Sequence, residues 1–206
     1  MKEMKQFNPE QLSDIQNYKL LSGSVIPRPI AFVTSKDREG TLNAAPFSFF
    51  NVVNNTPPMI AIAAQRADGE RKDTAVNIEQ TKEFVVHITD EMNVEEINKT
   101  AAPLEAGDNE LDHTALTLIN SEIVDTPAIR EAKVRFECKL NQIVVLGSEE
   151  NGADLIIGEV VMYHIEDETY FEDSKINPNE LKPVARLAGN DYAKLGETFT
   201  IQRPES

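Results

Sequence analysis

Cysteine is almost missing from this chain. The single thiol, Cys138 in VRFECKL, excludes an internal disulfide framework and a cysteine-based zinc cluster, and makes the cytoplasm the expected compartment. Basic residues are also scarce, with 20 Lys and Arg against 35 Asp and Glu and a formal net charge of −15. Polyanion binding needs concentrated Lys and Arg to displace counterions, so nucleic acid and anionic membranes are not expected partners. A phosphorylated ligand would need a local basic pocket. The excess acid reads as a solvated surface, with an acidic docking face as the alternative. No stretch of about 18 uninterrupted apolar residues occurs, and the start MKEMKQFNPEQLSDIQNY lacks the apolar core of a signal peptide, so a soluble protein without a membrane span is expected.

Familiar catalytic signatures are absent too. The nine glycines form neither G-x-G-x-x-G nor a Walker lysine loop, which argues against a Rossmann site or a P-loop ATPase. No serine sits in a G-x-S-x-G elbow, and nothing beside Cys138 would activate it. His87, His113 and His164 are too widely separated for metal-ligand spacing. His87 and His164 lie in strand-like runs and read as structural; His113, beside a loop, stays open. No metal ligand and no catalytic side chain is assigned.

What is present is ordinary globular composition, 40% hydrophobic and 27% charged over 206 residues, enough for one domain spanning residues 1–206. Asn8-Pro9 signals the start of a short helix, with Gly23 just beyond its end. Strands are expected at IAFVTS, at a short run after the KDREG turn, at Met59 to Ala64, Glu83 to Thr89, Val134 to Leu146 with a break near Asn141, and Ala153 to Ile165. Helices are expected at Thr74 to Thr81 and Val94 to Ala101, and Pro103 to His113 reads as an exposed loop that could cover a ligand site. Strands do not alternate regularly with long helices, which favours an antiparallel barrel over a doubly wound sheet. The polar C-terminal segment from Asn177 should wrap another surface.

Two passages carry chemistry. In APFSFFN, Asn43 just before it, Ser48 and Asn51 can hydrogen-bond, turn amides can serve ring carbonyls, and Phe49 or Phe50 can wall a flat ring such as isoalloxazine. The alternative is that both phenylalanines only pack. In RKDTAVNI, Asp73 is expected to cap a helix while Lys72, Thr74 and Arg71 reach a phosphate at its N-terminus; a plain exposed helix start would explain the same residues. Arg186 can meet a flavin or nicotinamide phosphate, although a surface ion pair is the commoner fate of such a residue. Together the passages suggest FMN.

From Tyr18 to Arg203 the chain resembles the flavin reductase-like, FMN-binding split-barrel family, in the branch of flavoredoxins and the nitrilotriacetate monooxygenase reductase component. The resemblance rests on PRPIAFVTS, G-x-x-N-x-A-P-x-S-F-F from Gly40 to Phe50, PPMIAI, RKDTAVNI, LIIGEVV and LKPVARLAGNDYAKLGE. It implies a mainly β fold, a six-stranded antiparallel split β-barrel with flanking short helices, forming a homodimer with FMN near the subunit interface. It also implies flavin contacts at Thr34, Asn43, Ala45, Ser48, Phe49 and Phe50, phosphate contacts at Arg71, Lys72 and Thr74, and, as weaker matches, contacts at Arg28 and Arg186. The implied activity is an NADH- or NADPH-dependent flavin reductase supplying reduced FMN to a partner flavin-dependent monooxygenase. The alternative is a flavoredoxin-like electron carrier that holds FMN tightly and does not oxidise NAD(P)H directly.

Overall fold

Short β-branched runs alternate with Gly, Pro and Asn turns through most of the chain, and the fold follows that rhythm. The computed structural model describes residues 2–66, 68–102, 110–148 and 150–204. The elements in order are α1 (Asp14–Ser24), β1 (Arg28–Pro29), β2 (Ala31–Lys36), β3 (Leu42–Phe47), β4 (Phe50–Asn55), β5 (Pro58–Gln65), α2 (Asp73–Thr81), β6 (Glu83–Ile88), α3 (Val94–Lys99), β7 (Leu118–Ile119), β8 (Ala128–Ile129), β9 (Val134–Leu146), β10 (Ala153–Ile165), β11 (Tyr170–Phe171), β12 (Lys175–Ile176), α4 (Pro178–Leu181), β13 (Val184–Arg186) and β14 (Tyr192–Lys194). Among the described residues, no helix is long and apolar enough to cross a membrane.

The main sheet has seven strands in the order β3-β2-β6-β9-β10-β5-β4, all antiparallel. Six were expected; the addition is β4, where no strand was expected because FNVVNN follows the polar-aromatic turn and shows no apolar alternation, and only its first residue is buried. The two edge strands, β3 and β4, are joined by Ser48 and Phe49 alone. Three peptide links span at most about 11 Å, so this connection draws the opposite edges of the sheet together into a curled, barrel-like form. The Phe49 carbonyl accepts the Ala63 N–H at 2.8 Å and fixes the junction against β5. Pro46, which has no N–H to donate, is tolerated because β3 is an edge.

Inside the curl, Ala31, Val33, Phe50, Ile60, Ile62, Phe84, Val86, Ile156 and Val160 form the main core, and α2 inserts Ala75 and Ile78 into it. The fully buried Phe84 ring lies against Gly158, where a Cβ would stand 2.8 Å from Phe84 Cε1. That glycine is required by close approach, not by its φ. A second cluster, Phe32, Ala44, Ile97, Leu111 and Leu116, binds α3 to the outer face. The break expected near Asn141 is a bulge: Gln142 pairs with Ile157 and Leu140 with Gly158, leaving Asn141 unpaired inside a continuous strand.

Two helix boundaries differ from expectation. Asn8 caps only a short 3-10 turn, Pro9–Gln11, and α1 starts afresh at Ser13, whose hydroxyl accepts the Gln16 N–H in a reciprocal capping box. Gly23 lies inside α1, not beyond it. The helix ends without a glycine because the Arg28 guanidinium donates to the carbonyls of Ser22 and Val25, which a glycine cap would otherwise have served. The C-terminal segment does wrap: β13 pairs with β1 and β14, Tyr192 donates to Asn98 at 2.9 Å, and Lys194 pairs with Glu91 at 2.6 Å.

Candidate functional site

The start of α2 brings Arg71 and Lys72 together ahead of its first turn. Lys72, not Asp73, occupies the N-cap position, and no side chain caps the helix. The Lys72 carbonyl takes the N–H groups of Ala75 and Val76, and Asp73 becomes the first helical residue, so the expected aspartate cap is corrected. Its carboxylate still sits in the first turn, where the helix dipole favours it. Lys72 is exposed and makes no ion pair or hydrogen bond through its side chain among the described residues.

Thr74 is 1% exposed, and its hydroxyl accepts from Asn43 Nδ2 at 2.7 Å. The structure therefore joins the two expected binding passages: Asn43 on β3 touches the residue that opens α2. Asn77, one turn further, reaches Ser35 Oγ at 3.4 Å, fastening the helix to β2.

Arg71 is more committed than its sequence suggested. Its Nε donates to Asp154 at 3.1 Å and its NH1 to Glu79 at 2.6 Å, and Arg66 holds the same Asp154 at 2.7 Å. Burial alone would raise the fully buried Asp154 carboxyl, but the hydrogen bonds from Arg66 and Arg71 hold it below the ordinary carboxylate range. The Glu79 hydrogen bond in turn raises Arg71, which keeps its charge. The network fixes Arg71 beside the open helix end with part of its charge already neutralised. Nothing local in the sequence announced it, since Asp154 on β10 lies 83 residues from Arg71.

At the β3–β4 junction, Ala45, Ser48 and Phe49 are half-buried, while Phe50 turns into the core. Asn51 is exposed and its side chain accepts the Val52 N–H at 2.8 Å. The Arg28 guanidinium stands 5.9 Å from the centre of the Phe49 ring. Arg28 is buried and gives its donors to the carbonyls of Ser22, Val25 and Leu187, so it braces the junction. Arg186 is its direct partner across β1 and β13, stacks 4.5 Å over Tyr192 and donates to the Gly189 carbonyl at 2.6 Å.

Thr34 is fully buried on β2 and donates its hydroxyl to the Pro127 carbonyl at 2.7 Å, away from the Asn43–Thr74 pair. His87 is fully buried; Nδ1 faces the Phe32 carbonyl and Nε2 accepts the Ile129 N–H, so the ring is neutral, and burial pushes its pKa down to about 4. His164 pairs with the buried Glu137 at 2.6 Å. Burial pushes the Cys138 thiol up, which suits a packing residue and not a nucleophile. Residues 103–109 of the expected covering loop lie outside the described residues; beyond them Leu111 packs into the second cluster.

The family model for the flavin reductase like domain matches residues 22–179. The chain belongs to that family. It is 51% identical to the protein YwrF of Bacillus subtilis (strain 168), over 96% of this chain and 98% of that one. The crystal structure of nitrilotriacetate monooxygenase component B from Bacillus cereus is 47% identical, covers 98% of this chain and 100% of its own, and superposes with a TM-score of 0.94. The 2-nitrobenzoate 2-nitroreductase NbaA of Pseudomonas fluorescens is 31% identical, with a TM-score of 0.87 over 97% of this chain and 96% of its own. The fold is thus that of the split-barrel flavin reductases.

Proposed function

We propose that this chain binds FMN and acts as an NADH- or NADPH-dependent flavin reductase that passes reduced FMN to a partner flavin-dependent monooxygenase. The observation that carries the cofactor is the uncapped start of α2, where free backbone N–H groups, the unpartnered Lys72 and the Asn43–Thr74 pair converge. The likeness to a monooxygenase component over the whole length supports the partner.

When bound, FMN supplies the ring that accepts electrons from the nicotinamide. The chain's task is to hold and orient it. Lys72, the first turn of α2 and one side of Arg71 take the phosphate. Asn43 and Thr74 fix the strand-to-helix distance beneath it. Ala45, Ser48 and Phe49 present a half-buried surface to the ring, with Arg28 and Phe50 supporting that surface from behind. Arg186, stacked on Tyr192, lies across β1 from Arg28 and is positioned for the phosphate of the incoming nucleotide. No side-chain acid or base is required for this transfer, because the cofactor carries the chemistry. Val52 and Val53, 68% and 52% exposed on β4 beside the junction, give a homodimer its apolar contact.

Titration of the apo-protein with FMN, followed by flavin fluorescence, tests binding. Anaerobic addition of NADH or NADPH then tests reduction through loss of the oxidised-flavin absorbance. Binding with rapid bleaching is the expected result. Binding without bleaching by either nucleotide would make the protein an electron carrier, and no binding would overturn the FMN assignment.

A further inference from the structure

Cations are scarce in this chain, yet three of them line one cavity away from α2. The start of β9, the residues before it and the end of β10 line an open cavity of about 520 Å³, bordered by Arg130, Lys133, Arg135 and His164 together with Glu131 and Glu166. That volume is in the range of small-molecule sites. Such cations ordinarily find carboxylates in a protein with 35 acidic residues. Among the described residues, none of the three has a carboxylate within ion-pair distance.

Their hydrogen bonds leave donors over. Arg130 is exposed and its guanidinium makes no hydrogen bond or close ion pair among the described residues, feeling the neighbouring Glu131 only through its charge. Lys133 gives one of its three N–H bonds to the Glu180 carbonyl at 2.7 Å. Arg135 makes one long bond, 3.3 Å, to the Ile129 carbonyl, and its buried Nε has no acceptor at all. Of the two carboxylates that also line it, Glu131 has both oxygens held by the N–H and hydroxyl of Thr117. His164 sits opposite Arg135 in the strand register and is fixed by its bond to Glu137. Burial and the like charge of Arg130 lower Arg135, and the more distant Glu137 carboxylate only partly offsets them.

We propose that this cavity is a second anion site, taking a phosphate or diphosphate group of a small molecule through Arg130, Lys133 and Arg135. Long polyanions are disfavoured by the overall charge, whereas a compact phosphate meets only the local field. None of its residues belongs to the proposed flavin set, so the site stands whether or not FMN binds at α2.

Isothermal titration with inorganic pyrophosphate at low ionic strength tests it. With FMN saturating, so that the start of α2 is occupied, the wild type and Lys72→Ala should bind pyrophosphate equally, while Arg130→Glu and Lys133→Ala should each weaken its binding at least tenfold with FMN affinity unchanged. Absence of binding to the wild type, loss of binding in Lys72→Ala, or unchanged binding in Arg130→Glu would each overturn the assignment. Should Arg130→Glu not fold, Arg130→Gln carries the same comparison.

Discussion

Asn43 and Thr74 stand 31 residues apart in the chain and meet side chain to side chain at 2.7 Å, both almost wholly buried. This contact ties β3 to the first turn of α2 and so sets the distance between the two passages proposed to hold FMN. Thr74→Val keeps the shape and leaves Asn43 Nδ2 buried without its partner, at a cost of about 1–3 kcal/mol. Urea unfolding should show that loss together with weaker FMN binding, and Thr74→Ser should restore both. Equal stability for Val and Ser would remove the contact's assigned role.

Lys72 and Arg71 should separate under mutation. Lys72→Ala removes an exposed cation with no partner in the fold, so stability should hold while FMN affinity drops about tenfold, roughly 1.4 kcal/mol. Arg71→Ala also strips one of two cations from the buried Asp154, so both melting temperature and FMN affinity should fall. Fluorescence titration and thermal unfolding on the same samples make the comparison.

Stability should decline on acidification through His87. The unfolded ring has the ordinary value of 6.5 and the folded one about 4, so between these the unfolded state binds the extra proton. Its contribution is fully present above pH 6.5 and is lost as pH falls towards 4, amounting to about 3 kcal/mol at most. Unfolding free energies measured from pH 7.5 to 4.5 should follow that slope, and His87→Gln should flatten it.

Gly158→Ala should destabilise the sheet by about 1–3 kcal/mol, because the added methyl meets the Phe84 ring in a packed core. Phe84→Leu in the same chain should recover part of the loss. A double-mutant cycle with no coupling would show that the ring is not the obstacle.

Much of the fold was legible. IAFVTS, EFVVHI and the two long strands of β9 and β10 carry β-branched runs that local propensity and packing both favour, and β10 has the bounds its sequence predicted. β4 was hidden because its outward valines and asparagines give no alternation, and its strand identity depends on pairing with β5. The candidate site divided along the same line. A basic helix start is a local signal and was read from RKDT, apart from a cap placed at Asp73, one residue after the observed Lys72. The sharing of Arg71 between Asp154 and Glu79, the burial of Thr34 against Pro127 and the use of Arg28 as a brace are long-range contacts with no local trace.

The junction of Ser48 and Phe49 has a consequence for handling the protein. By holding β3 near β4, it keeps two rows of edge backbone groups from meeting other chains. A longer linker there would let the seam part and free the β4 backbone edge beside the already exposed Val52 and Val53. Aggregation, before any loss of secondary structure, would then be the first sign of damage at the place proposed to face the flavin.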